Sequence, residues 1–129
     1  MKTIAWFYPV TAIVVFFQAI SGAATVLDFY NFDFHMMTGY LTGIFALVAV
    51  IIPFVVKPKY NALRYSSLVL FILVVMQGLL GFAAEKSDTV VAVHFANFLV
   101  LYGVVIAMIF YAFRWGRVTP TEQVVTKPS

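Results

Sequence analysis

The sequence predicts an all-α fold: an integral membrane, antiparallel four-helix bundle made of two repeated helical hairpins. Three observations lead there. The chain has 129 residues, of which 64% are apolar and 10% charged. A soluble domain holds about 45–50% apolar and ~25% charged residues, so water is the wrong solvent for most of this surface. Four apolar runs are each long enough to cross hydrocarbon, which takes about 20 helical residues. Finally, the pattern glutamine, glycine four residues on, histidine seventeen residues on is written twice, as Gln18–Gly22–His35 and Gln77–Gly81–His94.

The spans are expected over residues 6–27, 34–56, 65–84 and 89–113, forming one transmembrane domain over 1–117. The first begins after a basic Lys2 and ends near Ser21-Gly22-Ala23-Ala24, as a cleaved leader would. It also carries one copy of the repeat, so it is expected to be a retained span. Pro9 falls near its start, where a helix tolerates proline. Pro53 falls near the end of the second span, where a helix stops or kinks. The connectors are short, which makes neighbouring helices antiparallel. Residues 118–129 form a polar tail.

Charge placement sets the direction. Lys57, Lys59 and Arg64 in the middle connector share a side with Lys2, Arg114, Arg117 and Lys127 near the termini. Asp28, Asp33, Glu85 and Asp88 lie in the first and third connectors, where Lys86 is the single cation. The positive-inside rule then predicts a multi-pass protein of the cell membrane with both termini cytoplasmic. The expected partner is the lipid bilayer, with a second copy or a larger respiratory complex beside it, and no nucleic acid. The chain has no cysteine, which excludes disulfides, thiolate metal sites, iron–sulfur clusters and covalent c-type haem attachment.

His35 and His94 are the only histidines and occupy equivalent places in the two hairpins. An ionisable group inside a span is costly and marks a functional candidate. In an alternating bundle the second and fourth helices run parallel across a diagonal, which brings the two imidazoles to similar depth. Two neutral imidazoles so placed would grip one haem as axial ligands, in a non-covalent b-type site. Gly22, Gly39, Gly43, Gly78 and Gly81 would clear room for the plate, and Phe34, Phe82, Phe95 and Phe98 would wall it. Gly43 closes the run Gly39-Tyr40-Leu41-Thr42-Gly43, a spacing that also serves close helix packing. Gln18 and Gln77 would bond a propionate or an imidazole, or bond across helices. Lys86 would pair a propionate or stand in solvent. The bland alternative is that both histidines only tie helices together.

The stretch Gln77 to Gly103, QGLLGFAAEKSDTVVAVHFANFLVLYG, resembles the glutamine–glycine helix and following histidine helix of the heme A synthase family. FQAISGAATV followed by FDFHMMTG resembles the companion hairpin, so the likeness covers about residues 16 to 110. The resemblance implies one four-helix half of an eight-span enzyme, with haem between His35 and His94. In that family one half carries haem b for electron transfer, and the other oxidises a methyl group of haem O to the formyl group of haem A. Haem b is therefore the expected cofactor, with haem O or haem A as alternatives. A carboxylate one turn before the reactive histidine accompanies the oxidation. Phe32 and Val91 stand at those places here, with Asp33 two residues before His35. The family's basic residue after the histidine is replaced by Met36 and Phe95. Catalysis is thus left open, and electron transfer is the expected role. A self-associating synthase and a cofactor-free accessory subunit are the alternatives.

Overall fold

The computed structural model describes residues 5–29, 31–56, 61–84 and 87–115, the Trp115 side chain excepted. It contains four helices: α1 (Phe7–Val26), α2 (Phe32–Val56), α3 (Ala62–Ala83) and α4 (Asp88–Trp115). All four are long and apolar enough to cross a membrane. Each helix packs against its neighbours in sequence, and α1 closes the ring against α4. Among the described residues, the diagonal pairs α1/α3 and α2/α4 never approach within 8 Å between Cα atoms. This is the up-down-up-down antiparallel bundle.

The outer ends of the helices are set by local chemistry. Asn31 Oδ1 accepts the Phe34 amide N–H at 3.0 Å and Ser87 Oγ accepts that of Thr89 at 3.2 Å. These N-caps start α2 and α4 one to two residues earlier than hydropathy alone suggests. Asp33 and Asp88 follow in the first turns, where a carboxylate suits the helix dipole. At the other end of α2, Arg64 Nε donates to the Pro53 carbonyl at 3.3 Å, satisfying one of the last carbonyls of that helix.

Helix α1 ends in a Schellman turn. Phe29 N–H bonds the Ala24 carbonyl at 2.8 Å and Asp28 N–H bonds that of Thr25 at 3.1 Å. The turn requires a left-handed residue, and Asp28 takes it with φ of 59°. Glycine holds that conformation without Cβ strain. Asp28→Gly is therefore expected to raise stability by up to about 1 kcal/mol, read as a higher melting temperature with unchanged helix content.

Each helix turns one stripe of three- and four-residue spacing inward. At the end bearing Arg64 and Arg114 the stripes are mainly apolar, with Thr11 and Ser67 also buried: Tyr8, Ala12 and Val15 meet Ala49, Leu63, Leu70, Val105 and Met108 in one buried cluster. Toward the end bearing Asp28, Asp33 and Asp88 the same stripes turn polar. They continue as Gln18 and Gly22 on α1, His35 and Thr38 on α2, Gln77 and Gly81 on α3, and His94 and Asn97 on α4. Large apolar side chains cover the outside, including Ile13, Ile44, Ile72 and Val100. Trp6 stacks edge-on against Phe113 at 5.3 Å, joining the start of α1 to the end of α4.

Candidate functional site: a facing pair of histidines

The polar half of the bundle explains why the same punctuation is written twice. Within each hairpin the glutamine and glycine of the first helix form a seat for the histidine of the second. Gln18 and Gly22 are one turn apart on the inner stripe of α1. Gln18 Nε2 donates to the His35 carbonyl at 3.0 Å and lies 3.2 Å from His35 Nδ1. The imidazole lies against Gly22 so closely that a Cβ there would be 2.8 Å from His35 Cε1. In the second hairpin, Gln77 Nε2 lies 3.1 Å from His94 Nε2, and a Cβ on Gly81 would be 3.4 Å from His94 Cε1. The room left by Gly22 and Gly81 is taken by the imidazoles themselves.

The two seats then present their rings to each other. His35 and His94 have ring centroids 6.4 Å apart and planes crossing at 82°. Both are half-buried, on helices that make no close backbone approach. His94 Nδ1 is buried with no hydrogen-bond partner, one of two such side-chain atoms among the described residues, with Tyr8 OH.

Other site residues fall in different places. Gly39 lies under the Gln18 amide, at 3.1 Å from Nε2 to a Cβ built there. Gly43 and Gly78 face open space, with nothing within 4 Å of such a Cβ, so the Gly39/Gly43 spacing brings no second helix close at Gly43. Phe98 packs against the apolar core and stacks on Tyr102 at 5.9 Å. Phe82 and Phe95 are exposed on the outer surface. Lys86 lies outside the described residues.

Three residues complete the site that spacing alone did not single out. Ser21 Oγ donates to the Gln18 carbonyl at 2.8 Å and lies 3.0 Å from both His35 Nδ1 and Thr38 Oγ1. Asn97 Nδ2 donates to the Leu73 carbonyl at 3.0 Å and to Gln77 Oε1 at 2.6 Å. The signal was present: Ser21 is three residues after Gln18, and Thr38 and Asn97 are each three after a histidine. One helical turn puts each on the inner face.

No group of three or more His, Cys, Asp or Glu side chains converges among the described residues, so the histidine pair is the donor set to account for. No family model, curated protein or solved structure matches the chain. Fold and site together define a four-helix, multi-pass membrane protein whose interior holds two facing, repeat-related histidines.

Proposed function

We propose that this chain is a b-type haem protein of the cell membrane, with His35 and His94 as axial ligands, that carries single electrons within a respiratory membrane system. The observation that carries the reading is the 6.4 Å separation of the two ring centroids. One metal bonded to two imidazole nitrogens at about 2 Å each has ring centres roughly 6 Å apart. Both donors are of the kind haem iron takes. The buried, unpartnered His94 Nδ1 further marks a group whose hydrogen bonding is incomplete without something else in the site.

Bound haem would supply a one-electron iron couple. The rest is the work of this chain. Gln18 fixes the His35 backbone through its carbonyl, Gly22 and Gly81 let the rings lie close to α1 and α3, and the apolar layer below closes the inner half to water. If His35 and His94 both hold the iron, reaction there would require one of them to let go, which favours electron transfer. Haem O or haem A in place of haem b, and a self-associating synthase related to the heme A synthase family, are the competing forms of this reading. The basic connector and termini favour cytoplasmic ends. A bundle of four helices leaves much of a haem edge uncovered, which favours a second copy or a larger complex. A cofactor-free tie is favoured by the glutamine bonds already made to both rings.

The test is the absorption spectrum of the purified protein from haem-replete cells, oxidised and reduced. A sharp reduced α band and Soret peak are expected, with loss of the low-spin bands in His35→Ala and in His94→Ala. Bands unchanged in both variants rule out the axial assignment. A colourless preparation favours the tie, and a hydroxylated or formylated haem favours the synthase.

A further inference from the structure

The two histidines are held unequally, and the difference lies in what their partners have to give. A neutral imidazole has one N–H and one lone pair, and which nitrogen carries which follows from the partners. On the α3/α4 side the partners form a one-way chain of donors. The Leu73 carbonyl only accepts, so the Asn97 atom 3.0 Å from it is the amide nitrogen. That nitrogen also donates to Gln77 Oε1 at 2.6 Å. With its oxygen so engaged, Gln77 turns its own amide nitrogen to His94 Nε2 at 3.1 Å and donates there. The lone pair of His94 is thereby occupied, and its proton is left on Nδ1, buried and without an acceptor.

On the α1/α2 side Nδ1 has two neighbours. One is the Ser21 hydroxyl, which both donates and accepts. The other is Gln18 Nε2 at 3.2 Å, which donates to the His35 carbonyl at 3.0 Å and, being also 3.5 Å from Nε2 of the ring, lies over the ring face rather than in line with either lone pair. Ser21 Oγ gives its hydrogen to the Gln18 carbonyl at 2.8 Å and is free to accept from His35 Nδ1 at 3.0 Å. His35 can then keep its proton on Nδ1 and offer Nε2. The inequality is legible as two breaks in the repeat: Ser21 corresponds to Leu80 in the second copy, and Thr38 to Asn97.

Resting on the bis-histidine haem reading above, we propose that His35 is the anchoring ligand and His94 the displaceable one, with Gln77 and its positioning residue Asn97 forming a clamp that withholds the His94 lone pair. For His94 to bind a metal through either nitrogen, the Gln77 hydrogen bond must break. His35 has no such bond to give up at Nε2 beyond a long 3.5 Å contact to Gln18. The fourth-helix side is thus where a small added ligand enters.

The experiment uses the full-length purified protein, reduced, with carbon monoxide as the probe. Wild type is expected to take up carbon monoxide. Gln77→Leu and Asn97→Leu free the His94 lone pair and are expected to slow that uptake roughly 3- to 10-fold. His94→Gly is expected to keep haem in a high-spin form, and His35→Gly to retain at least about tenfold less. Equal haem retention in the two glycine variants, or unaltered uptake in both leucine variants, overturns the inequality while a six-coordinate wild-type spectrum leaves the haem reading standing. A colourless wild type overturns both. The leucine variants retain both histidines and decide the matter even where a glycine variant fails to fold.

Discussion

Gly22→Ala is expected to push His35 out of its seat and, on the proposed haem reading, to lower haem retention by about tenfold or more, with little change in overall stability. The new Cβ would stand 2.8 Å from Cε1, 3.3 Å from Nδ1 and 3.4 Å from Nε2 of His35, so the whole ring must move. It cannot move freely, because Nδ1 is held at 3.0 Å from Ser21 and 3.2 Å from Gln18. Overpacking of this kind costs about 1–3 kcal/mol. Alanine in a helix interior returns about 1 kcal/mol relative to glycine, which offsets part of that cost. The global effect is therefore small while the local one is large. Gly43→Ala has the same propensity gain with nothing within 4 Å to meet, and it is expected to keep wild-type haem content. Haem-to-protein ratio and thermal unfolding, measured on both variants, separate the two effects. Wild-type spectra in Gly22→Ala would show that the close seat is dispensable.

How much of this was legible in the sequence depended on what each residue's signal was about. The four spans were readable because hydrocarbon imposes length and apolarity directly, and their ends moved by only a few residues once Asn31 and Ser87 were seen to cap. The inner stripes were not readable from apolar residues, since lipid and core are equally greasy and Leu70 looks like Ile72. Polar residues alone mark the inside of such a helix, which is why Gln18, His35, Gln77 and His94 pointed to the site. Spacing located Gly22 and Gly81 along their helices but not the group that would fill the gap. That group comes from the next helix, and only the folded hairpin brings it there. Asn97 carried a usable signal as a polar residue one turn from His94. The left-handed Asp28 carried none, because the turn it makes is ordinarily read from a glycine.

A charge at the middle of an outward face is the sharpest test of the solvent this bundle is built for. Ile72 lies at the centre of α3 and is 58% exposed. Ile72→Lys is expected to cost about 2.5–3.5 kcal/mol in membrane insertion and to shift much of the protein out of the fraction that resists alkaline extraction. On a water-soluble protein the same exposed substitution would fall within about ±0.5 kcal/mol. Tyr65→Lys is the control. It is 65% exposed near the start of α3, on the side of Arg64, where a lysine reaches the interface along its own stem and is expected to be tolerated. Equal abundance and stability for Ile72→Lys and wild type would mean that water, not hydrocarbon, surrounds α3. The consequence would reach the site, because its chemistry depends on the same solvent. In hydrocarbon the Asn97–Gln77–His94 chain has no water to compete for its hydrogens, so one-way donors can dictate where the His94 proton sits. Water admitted to the buried Nδ1 would give that proton an acceptor, and the two histidines would lose the difference between them.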